Sequence, residues 1–174
     1  MDELFKEGQG YYKWSGLRYF LFEYEHALQS KAKSSTTKIS WAEFSRSKRD
    51  HVTIEHIYPR DGSRSCWRDR FGQFTSIEQG RLCHSLGNLV ALAHQKNVSL
   101  SNSCFEEKKK SSDATGYFTG SYSEIEVAQE VDWNAQTILD RGLRMLDFLE
   151  QRWRVTLGDE DFKRALLGLE WLKT

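Results

Sequence analysis

The stretch HVTIEHIYPRD, residues 51–61, contains the residues on which the fold prediction depends. Three consecutive β-branched residues, VTI, and the isoleucine that follows them predict a strand over 52–58, because such side chains favour a pleated backbone. Pro59, the only proline of the chain, ends this strand because its ring removes a backbone donor. Glu55 and His56 are neighbours, and neighbours on a straight strand point to opposite faces. We therefore expect a bend at the strand end if both side chains serve one site.

The segments after this strand predict a second strand and then a helix. SLGNLVALA, residues 85–93, contains a short apolar run that predicts a strand from Leu86 to Ala93. Farther on, NVSLSNSCFEEKKKSS supplies helix-capping residue types before a predicted helix that ends at Lys110. Between the strands, residues 60–85 are rich in Arg, Ser, Gly and Gln, and predict a long irregular loop or a loop with one short helix.

Helical patterns flank this central part. Apolar residues spaced by three and four predict an amphipathic helix within residues 11–30, followed by a polar connection over 31–38. Ser123 and Glu126 have the spacing of a capping box after a connector over 111–122. A long amphipathic helix is predicted to end at Trp153, and a last helix to follow Gly158. Six tryptophans are expected to pack these helices onto the central unit: Trp14, Trp41, Trp67, Trp133, Trp153 and Trp171.

Length and composition limit the class of protein. A chain of 174 residues has room for one domain with a hydrophobic core, and we predict a single domain over 1–174. No apolar stretch reaches the roughly 18 to 20 residues that a membrane span needs. The start of the sequence, MDELFKEGQGYYKW, does not have the pattern of a secretory signal. Three cysteines without a C-x-x-C pair predict neither a disulfide framework nor a four-cysteine zinc site, and a reducing cytoplasm is expected.

The net charge is zero, but the charge is unevenly distributed. Residues 1–110 carry 18 Lys and Arg against 13 Asp and Glu, whereas residues 111–174 carry 7 against 12. A neutral total is therefore compatible with a basic face that contacts nucleic acid, although an evenly mixed surface would have the same composition.

Four side chains stand out for their chemistry: Glu55, His56, Asn88 and Asn97. Histidine has a pKa near neutrality and can take a proton from water. A carboxylate together with an amide carbonyl offers oxygen ligands, which favour a hard cation such as Mg²⁺ over zinc. The residues therefore indicate one divalent ion beside a histidine base.

Three motifs carry a resemblance to a known family: T-I-E-H-I-Y-P, L-G-N-L-V-A-L and N-x-x-L-S-N-x-x-F-x-x-K. Together they resemble the HNH (His-Me finger, ββα-metal) nucleases, in particular the branch that forms the C-terminal domain of GmrSD-like modification-dependent restriction enzymes. The resemblance runs from about Tyr11 to Trp153. It implies an α+β fold, mostly helical, with an N-terminal helical part (1–50), a ββα-metal core (51–110) and C-terminal helices (111–174).

The resemblance also implies roles for individual residues. His56 matches the general base, and Glu55 and Asn97 match the residues that hold one Mg²⁺ or Mn²⁺. Asn88 matches the middle asparagine, which steadies the loop and orients the base. Many HNH proteins add a cysteine-bound zinc for which this sequence has no matching motif.

Several assignments stay open at this point. Asn102 competes with Asn97 for the metal, and Asn88 after Gly87 also fits a simple turn. His84 could assist the site or be structural. The remaining histidines, His26, His51 and His94, have no comparable context. The cations expected to contact DNA are Arg60, Arg64, Lys108 and Lys109.

The predicted function is a metal-dependent DNA endonuclease that forms the nuclease part of a modification-dependent restriction or anti-phage defence system. Its expected partners are DNA and a ParB-like NTPase domain or subunit, and no membrane. One rival is a catalytically inactive DNA-binding or partner-docking module with the same fold. Another is an RNA-directed nuclease or toxin, which differs only in substrate.

Overall fold

The computed structural model describes residues 10–42, 53–110 and 116–173. Short helices and one two-stranded sheet alternate along this part of the chain, which confirms the predicted α+β, mostly helical class. The elements are a 3-10 turn Gly10–Lys13, α1 Leu17–Lys31, β1 Thr53–His56, α2 Ser65–Phe71, α3 Ser76–His84, a 3-10 turn Leu86–Asn88, β2 Leu89–Leu92, α4 His94–Leu100, α5 Phe105–Lys110, a 3-10 turn Tyr117–Thr119, α6 Tyr122–Ala128, α7 Ala135–Trp153 and α8 Glu160–Leu166.

The two strands pair in the antiparallel sense, and α4 follows β2 and packs against β1. The register places Glu55 opposite Val90 and His56 opposite Leu89. Both strands are shorter than predicted. β1 ends at His56, and the first three residues of the predicted second strand form a 3-10 turn instead. A hydrogen bond from Ile57 N to Asn88 O at 3.0 Å still joins the chain segments beyond the sheet.

Residues 60–85, predicted as a loop or a loop with one short helix, contain the two helices α2 and α3. Trp67 and Phe71, four residues apart, form the buried stripe of α2. Thr75 and Glu78 form a capping box at the start of α3. Several polar residues of these helices, among them Arg68, Asp69 and Ser76, are exposed, and residue types of this kind suggest a loop when composition alone is considered.

The helices after β2 also differ from the prediction. The helix predicted to end at Lys110 is confirmed as α5, but α4 before it, which contains Asn97, is not predicted by the sequence. A φ of 42° at Ser101 ends α4, and residues 101–104 separate the two helices. The capping box of α6 is formed by Ser121 and Glu124, not by Ser123 and Glu126. The long helix and the last helix are confirmed as α7 and α8, capped by Asn134 and Asp159.

One cluster of buried apolar residues runs from Tyr11 to Leu169 and includes all of β2. α7 packs closely against the 3-10 turn before β2, and a side chain on Gly87 would overlap the carbonyl oxygen of Ile138. Of the six tryptophans, Trp67 and Trp133 are fully buried, whereas Trp41 is 44% exposed. The other three, Trp14, Trp153 and Trp171, pack against the core from partly buried positions.

Cys66 of α2 and Cys104, immediately before α5, form a disulfide. The prediction that the three cysteines encode no disulfide is therefore wrong. The two residues are 38 positions apart, and only the packing of α2 against the start of α5 brings them together. Cys83 is left as a free, buried thiol.

None of the helices in the described ranges is both long and apolar enough to cross a membrane. The predictions for Val52, His51 and residues 111–115 lie outside the described residues.

Candidate active site

A cleft of about 610 Å³ is lined by β1, by the segment that follows it and by α4. Three of the four predicted site residues, Glu55, His56 and Asn97, line this cleft together. Glu55 and His56 both line the cleft although they are neighbours on β1. The fourth residue, Asn88, is fully buried outside the cleft lining.

Glu55 forms an ion pair with Lys108, at 2.5 Å between Oε1 and Nζ. Lys108 is completely buried, and its ammonium also donates to the carbonyl oxygens of His56 at 3.3 Å and Ile57 at 3.1 Å. Burial raises the pKa of the Glu55 carboxyl and lowers the pKa of Lys108, and the attraction between the two opposes both shifts. The pair therefore fixes the Glu55 side chain and the backbone at the end of β1.

His56 lies beside a second histidine, His84, at the end of α3. Nε2 of His56 is 3.0 Å from Nδ1 of His84, and the ring of Tyr12 packs against His56 with a centroid separation of 4.6 Å. Burial, followed by the charge of His84, lowers the pKa of His56 to about 3, and burial also lowers the pKa of His84. Both imidazoles are therefore neutral at neutral pH, and one donates its hydrogen to the other.

The side chain of Asn88 is occupied by four hydrogen bonds. Its carbonyl accepts from Tyr58 N at 2.8 Å and from Trp133 Nε1 at 2.9 Å. Its amide donates to the carbonyl oxygens of Tyr58 at 2.9 Å and Cys83 at 2.8 Å. These bonds use the full capacity of an asparagine side chain. Asn88 thus joins the segment after β1 to α3 and to Trp133, and it makes no hydrogen bond to the His56 imidazole, so the predicted bond to the base is absent.

Asn97 is attached to β1 by a hydrogen bond from its amide to Thr53 Oγ1 at 2.7 Å. Among the described residues, no donor bonds the carbonyl oxygen of the Asn97 side chain, which can therefore bind a ligand in the cleft. The competitor Asn102 lines the same cleft and donates to Asp61 Oδ2 at 3.2 Å. Both asparagines line the cleft, and of the two only Asn97 bonds β1, the strand that carries Glu55.

The four cations predicted to contact DNA lie in different surroundings. Arg60 is exposed and lines the cleft. Arg64 binds Glu107 through two hydrogen bonds, at 2.6 and 3.0 Å, near the surface. Lys108 is buried against Glu55, so the contact with DNA predicted for it is not available in this arrangement. Lys109 is also buried, 7% exposed, and pairs with Glu106.

Two residues near His56 were not assigned a role from the sequence. The sequence leaves the role of His84 open, and it offers no context that assigns a role to Cys83. The four-residue spacing between His84 and Asn88 was the one available signal, because Asn88 was already predicted to lie near the base. Nothing in the sequence showed that the end of α3 reaches the end of β1.

Comparison with known proteins agrees with the resemblance noted from the motifs. The family model described as "GmrSD restriction endonucleases, C-terminal domain" matches residues 1–148. No curated protein matches the chain significantly, and no solved structure does. The matched range covers β1, β2, α4 and the whole cleft, and extends into α7. The chain therefore belongs to the family of GmrSD restriction endonuclease C-terminal domains, which implies a nuclease that acts on DNA.

Proposed function

We propose that the protein is a metal-dependent DNA endonuclease of the HNH type, which hydrolyses phosphodiester bonds for a modification-dependent restriction or anti-phage defence system. The observation that carries the proposal is the cleft at the end of a strand–strand–helix unit, lined by Glu55, His56 and Asn97. The carboxylate of Glu55, the imidazole of His56 and the amide of Asn97 all line this cleft, and they follow one another along the chain as in the motifs that resemble the HNH nucleases.

His56 is the proposed general base. Its Nε2 faces His84, so Nδ1 is the nitrogen left to accept a proton from an attacking water molecule. A neutral imidazole is required for this step, and the lowered pKa of His56 keeps the ring neutral. The new bond forms between the water oxygen and phosphorus, the bond to the leaving sugar oxygen breaks, and that oxygen takes a proton from solvent.

Glu55 and Asn97 are the residues that would hold Mg²⁺ or Mn²⁺. The donor types fit, because the second carboxylate oxygen of Glu55 and the carbonyl of Asn97 are hard oxygen ligands on one cleft. Two protein ligands are enough for Mg²⁺, which usually keeps several waters and binds substrate phosphates. Such an ion, when bound, neutralises negative charge on the phosphate.

The remaining site residues support this arrangement. Asn88 is a positioning residue that holds the loop after β1, and Lys108 holds Glu55 and the carbonyl of His56. Contact with the DNA backbone is assigned to Arg60 and Arg64, since Lys108 and Lys109 are buried. Contacts of this kind bind phosphates without reading the sequence, which suits a nuclease whose target is chosen elsewhere.

The single hydrophobic core supports the assignment of the chain to one nuclease domain. We assign target choice to a ParB-like NTPase domain or subunit, as the family resemblance implies, and place the protein in the cytoplasm. The Cys66–Cys104 disulfide argues against that compartment, because cytoplasmic thiols are kept reduced. Alkylation of free thiols in freshly lysed cells, followed by mass spectrometry, tests the location. If Cys66 and Cys104 escape alkylation in most molecules because they are joined in the disulfide, the cytoplasmic location is contradicted.

One observation favours the rival function, a catalytically inactive DNA-binding or docking module. Glu55 is already paired with the Lys108 ammonium, and both Glu55 and His56 are almost fully buried. A cation must therefore share the carboxylate with Lys108. A module without catalysis would need no such sharing.

Plasmid cleavage separates these functions. Plasmid and phage DNA, with and without modified bases, are incubated with the protein and Mg²⁺ or Mn²⁺, and a matched RNA serves as the alternative substrate. We expect metal-dependent cleavage of DNA, and a rate for His56→Ala lower by about 10²- to 10⁴-fold. His26→Ala, which changes a histidine of α1 outside the cleft lining, is the matched control and should cleave like the parent.

Three outcomes would contradict the proposal. Equal nicking by the parent and a folded His56→Ala would remove His56 from the mechanism. DNA binding without metal-dependent cleavage of any substrate would favour the inactive module, and cleavage of RNA alone would favour the RNA-directed nuclease.

A further inference from the structure

A second group of possible metal ligands lies next to the cleft. His56 at the end of β1 meets Cys83 and His84, the last two residues of α3. The ligand atoms of these three side chains all lie within 4.8 Å of one another, and the two histidine nitrogens are 3.0 Å apart. No other group of three such side chains was found in the described ranges.

The donor types of this group differ from those of Glu55 and Asn97. Two imidazole nitrogens and one thiolate sulfur form a soft, nitrogen- and sulfur-rich set, which favours zinc and related ions over Mg²⁺. Zinc sites with three protein ligands leave a fourth position for water. Two sets of possible metal ligands therefore lie near the end of β1. Glu55 and Asn97 offer hard oxygen atoms, and the group that includes His56 offers soft nitrogen and sulfur atoms.

The spacing suits a tetrahedral ion after small movements. With bond lengths of about 2.0–2.1 Å to nitrogen and about 2.3 Å to sulfur, tetrahedral ligands lie roughly 3.3 to 3.6 Å apart. The observed separations, from 3.0 Å to at most 4.8 Å, bracket this range. His84 is only partly buried, so a metal could reach its ring from the surface. Metal binding requires neutral imidazoles and a thiolate, so the buried thiol of Cys83 must give up its proton when the ion binds.

We propose that His56, Cys83 and His84 bind one soft divalent ion of the zinc class, and that this ion switches off the nuclease. The inhibitory part rests on the function proposed above. When Nε2 of a neutral imidazole binds a metal, its hydrogen is on Nδ1, so that nitrogen can no longer accept a proton from water. The ion would thereby remove the base without touching Glu55 or Asn97.

Direct binding tests the site independently of catalysis. The chain has three cysteines, two of them in the disulfide, so Cys83 is the single thiol of the oxidised protein. Oxidised protein freed of metal with a chelator is titrated with Zn²⁺ by calorimetry, and with Co²⁺ by absorption spectroscopy. We expect one ion per chain and a thiolate-to-cobalt charge-transfer band.

Two variants and one control assign the ligands. Cys83→Ser should lose the charge-transfer band and weaken zinc binding by about 100-fold or more, because even the loss of an outer-shell partner costs about 10- to 100-fold. His84→Gln should weaken binding to a similar degree while keeping the band at high Co²⁺. His26→Gln, a histidine outside the cluster, should bind like the parent. Equal zinc affinity of the parent and a folded Cys83→Ser would overturn the site.

The inhibitory role is tested by adding Zn²⁺ to the Mg²⁺-dependent cleavage reaction, with each protein compared with its own rate without zinc. Stoichiometric zinc should stop the parent, and Cys83→Ser should need about 100-fold more. Zinc that binds the parent but leaves cleavage unchanged would overturn inhibition while the site stands. If no protein cleaves DNA even without zinc, the function proposed above fails, and the titrations still decide the site.

Discussion

Two fully buried cations, Lys108 and Arg141, bind backbone carbonyls at the same end of the sheet, and their carboxylate partners differ. Lys108 binds the backbone carbonyls of His56 and Ile57, where the chain leaves β1. Arg141 of α7 donates to the carbonyls of Gly87, at 2.8 Å, and Leu89, at 2.9 Å, where the chain enters β2.

The partner of Lys108 is Glu55, which lines the cleft, whereas the partner of Arg141 is Glu126 of α6, at 3.1 Å. Glu126 also accepts a hydrogen bond from Tyr24 of α1 at 2.6 Å, so it joins three helices away from the cleft. In both places a buried cation binds backbone carbonyls. Lys108 thereby supports the proposed site at the end of β1, and Arg141 supports the contacts between helices at the start of β2. We call these the Lys108 side (Glu55, His56, Lys108) and the Arg141 side (Gly87, Leu89, Glu126, Arg141).

The largest expected effect on stability is on the Arg141 side. Arg141→Met removes one partner of a buried pair and leaves the carbonyls of Gly87 and Leu89 unsatisfied, which should cost about 3–5 kcal/mol of unfolding free energy. Molecules that remain folded should keep their cleavage rate. Urea unfolding and cleavage per folded molecule measure the two effects, and a folded variant with lost cleavage would break the distinction between the sides.

On the Lys108 side, Lys108→Met should lower the unfolding free energy less than Arg141→Met does, but it should also lower the cleavage activity. Lys108→Met leaves Glu55 buried without its counter-ion, and the raised pKa of this carboxyl lets it bind a proton instead of remaining charged. We therefore expect about 2–4 kcal/mol, less than for Arg141→Met. Cleavage should fall because Glu55 and the end of β1 lose their support. Full cleavage by a folded Lys108→Met would show that this pair does not position the site.

The disulfide should stabilise the Lys108 side, since it joins α2 to the start of α5, the helix of Lys108. Reduction, or the Cys66→Ser and Cys104→Ser double variant, should lower the unfolding free energy by about 2–3 kcal/mol. Cys83→Ser is the matched control because it leaves the disulfide in place. Equal thermal midpoints of oxidised and reduced protein would show that the bond adds no stability.

Acid should also act on the Lys108 side through His56. The pKa of His56 is about 3 in the folded chain and near 6.5 when exposed, so only the unfolded state takes up its proton over this window. The stability that depends on the neutral ring is fully present at a pH above the pKa of His56 in the unfolded chain. It is lost as the pH falls toward the pKa of His56 in the folded chain. Between about pH 7.5 and about pH 5 the loss should be about 2 kcal/mol.

His56→Gln checks this prediction, because the variant keeps a polar side chain of similar shape but cannot titrate. Its unfolding free energy should fall by about 2 kcal/mol less than that of the parent over the same pH range. Parallel pH dependence of the two proteins would mean that His56 does not carry the effect.

The smallest effect is expected from the surface pair of Arg64 and Glu107, whose side chains are 39% and 53% exposed. Arg64→Ala should change the unfolding free energy by less than about 1 kcal/mol. In the proposed function it should weaken DNA binding similarly for all sequences and reduce the salt slope by about 1. An unchanged salt slope, measured by fluorescence anisotropy, would remove Arg64 from the DNA contact.

Local patterns predicted the elements whose signal lies within a few residues. The apolar stripes of α1 and α7 and the β-branched run of β1 gave the right element types. The motif residues Glu55, His56 and Asn97 do line one cleft, and their chemical roles stay predictions. Composition failed over residues 60–85, because short helices with polar outer faces resemble loops when only residue types are counted.

The amino-acid sequence by itself determined the strand–strand–helix order, the flanking amphipathic helices and the acid, base and amide of the proposed site. Only the tertiary structure decided that Lys108 is buried on Glu55, that Cys66 meets Cys104, and that Cys83 and His84 reach His56. The physical reason is range. Periodicity and capping act between residues three or four positions apart, whereas these contacts join residues 27 or more positions apart that only the packing of α2, α3 and α5 around the sheet end brings together.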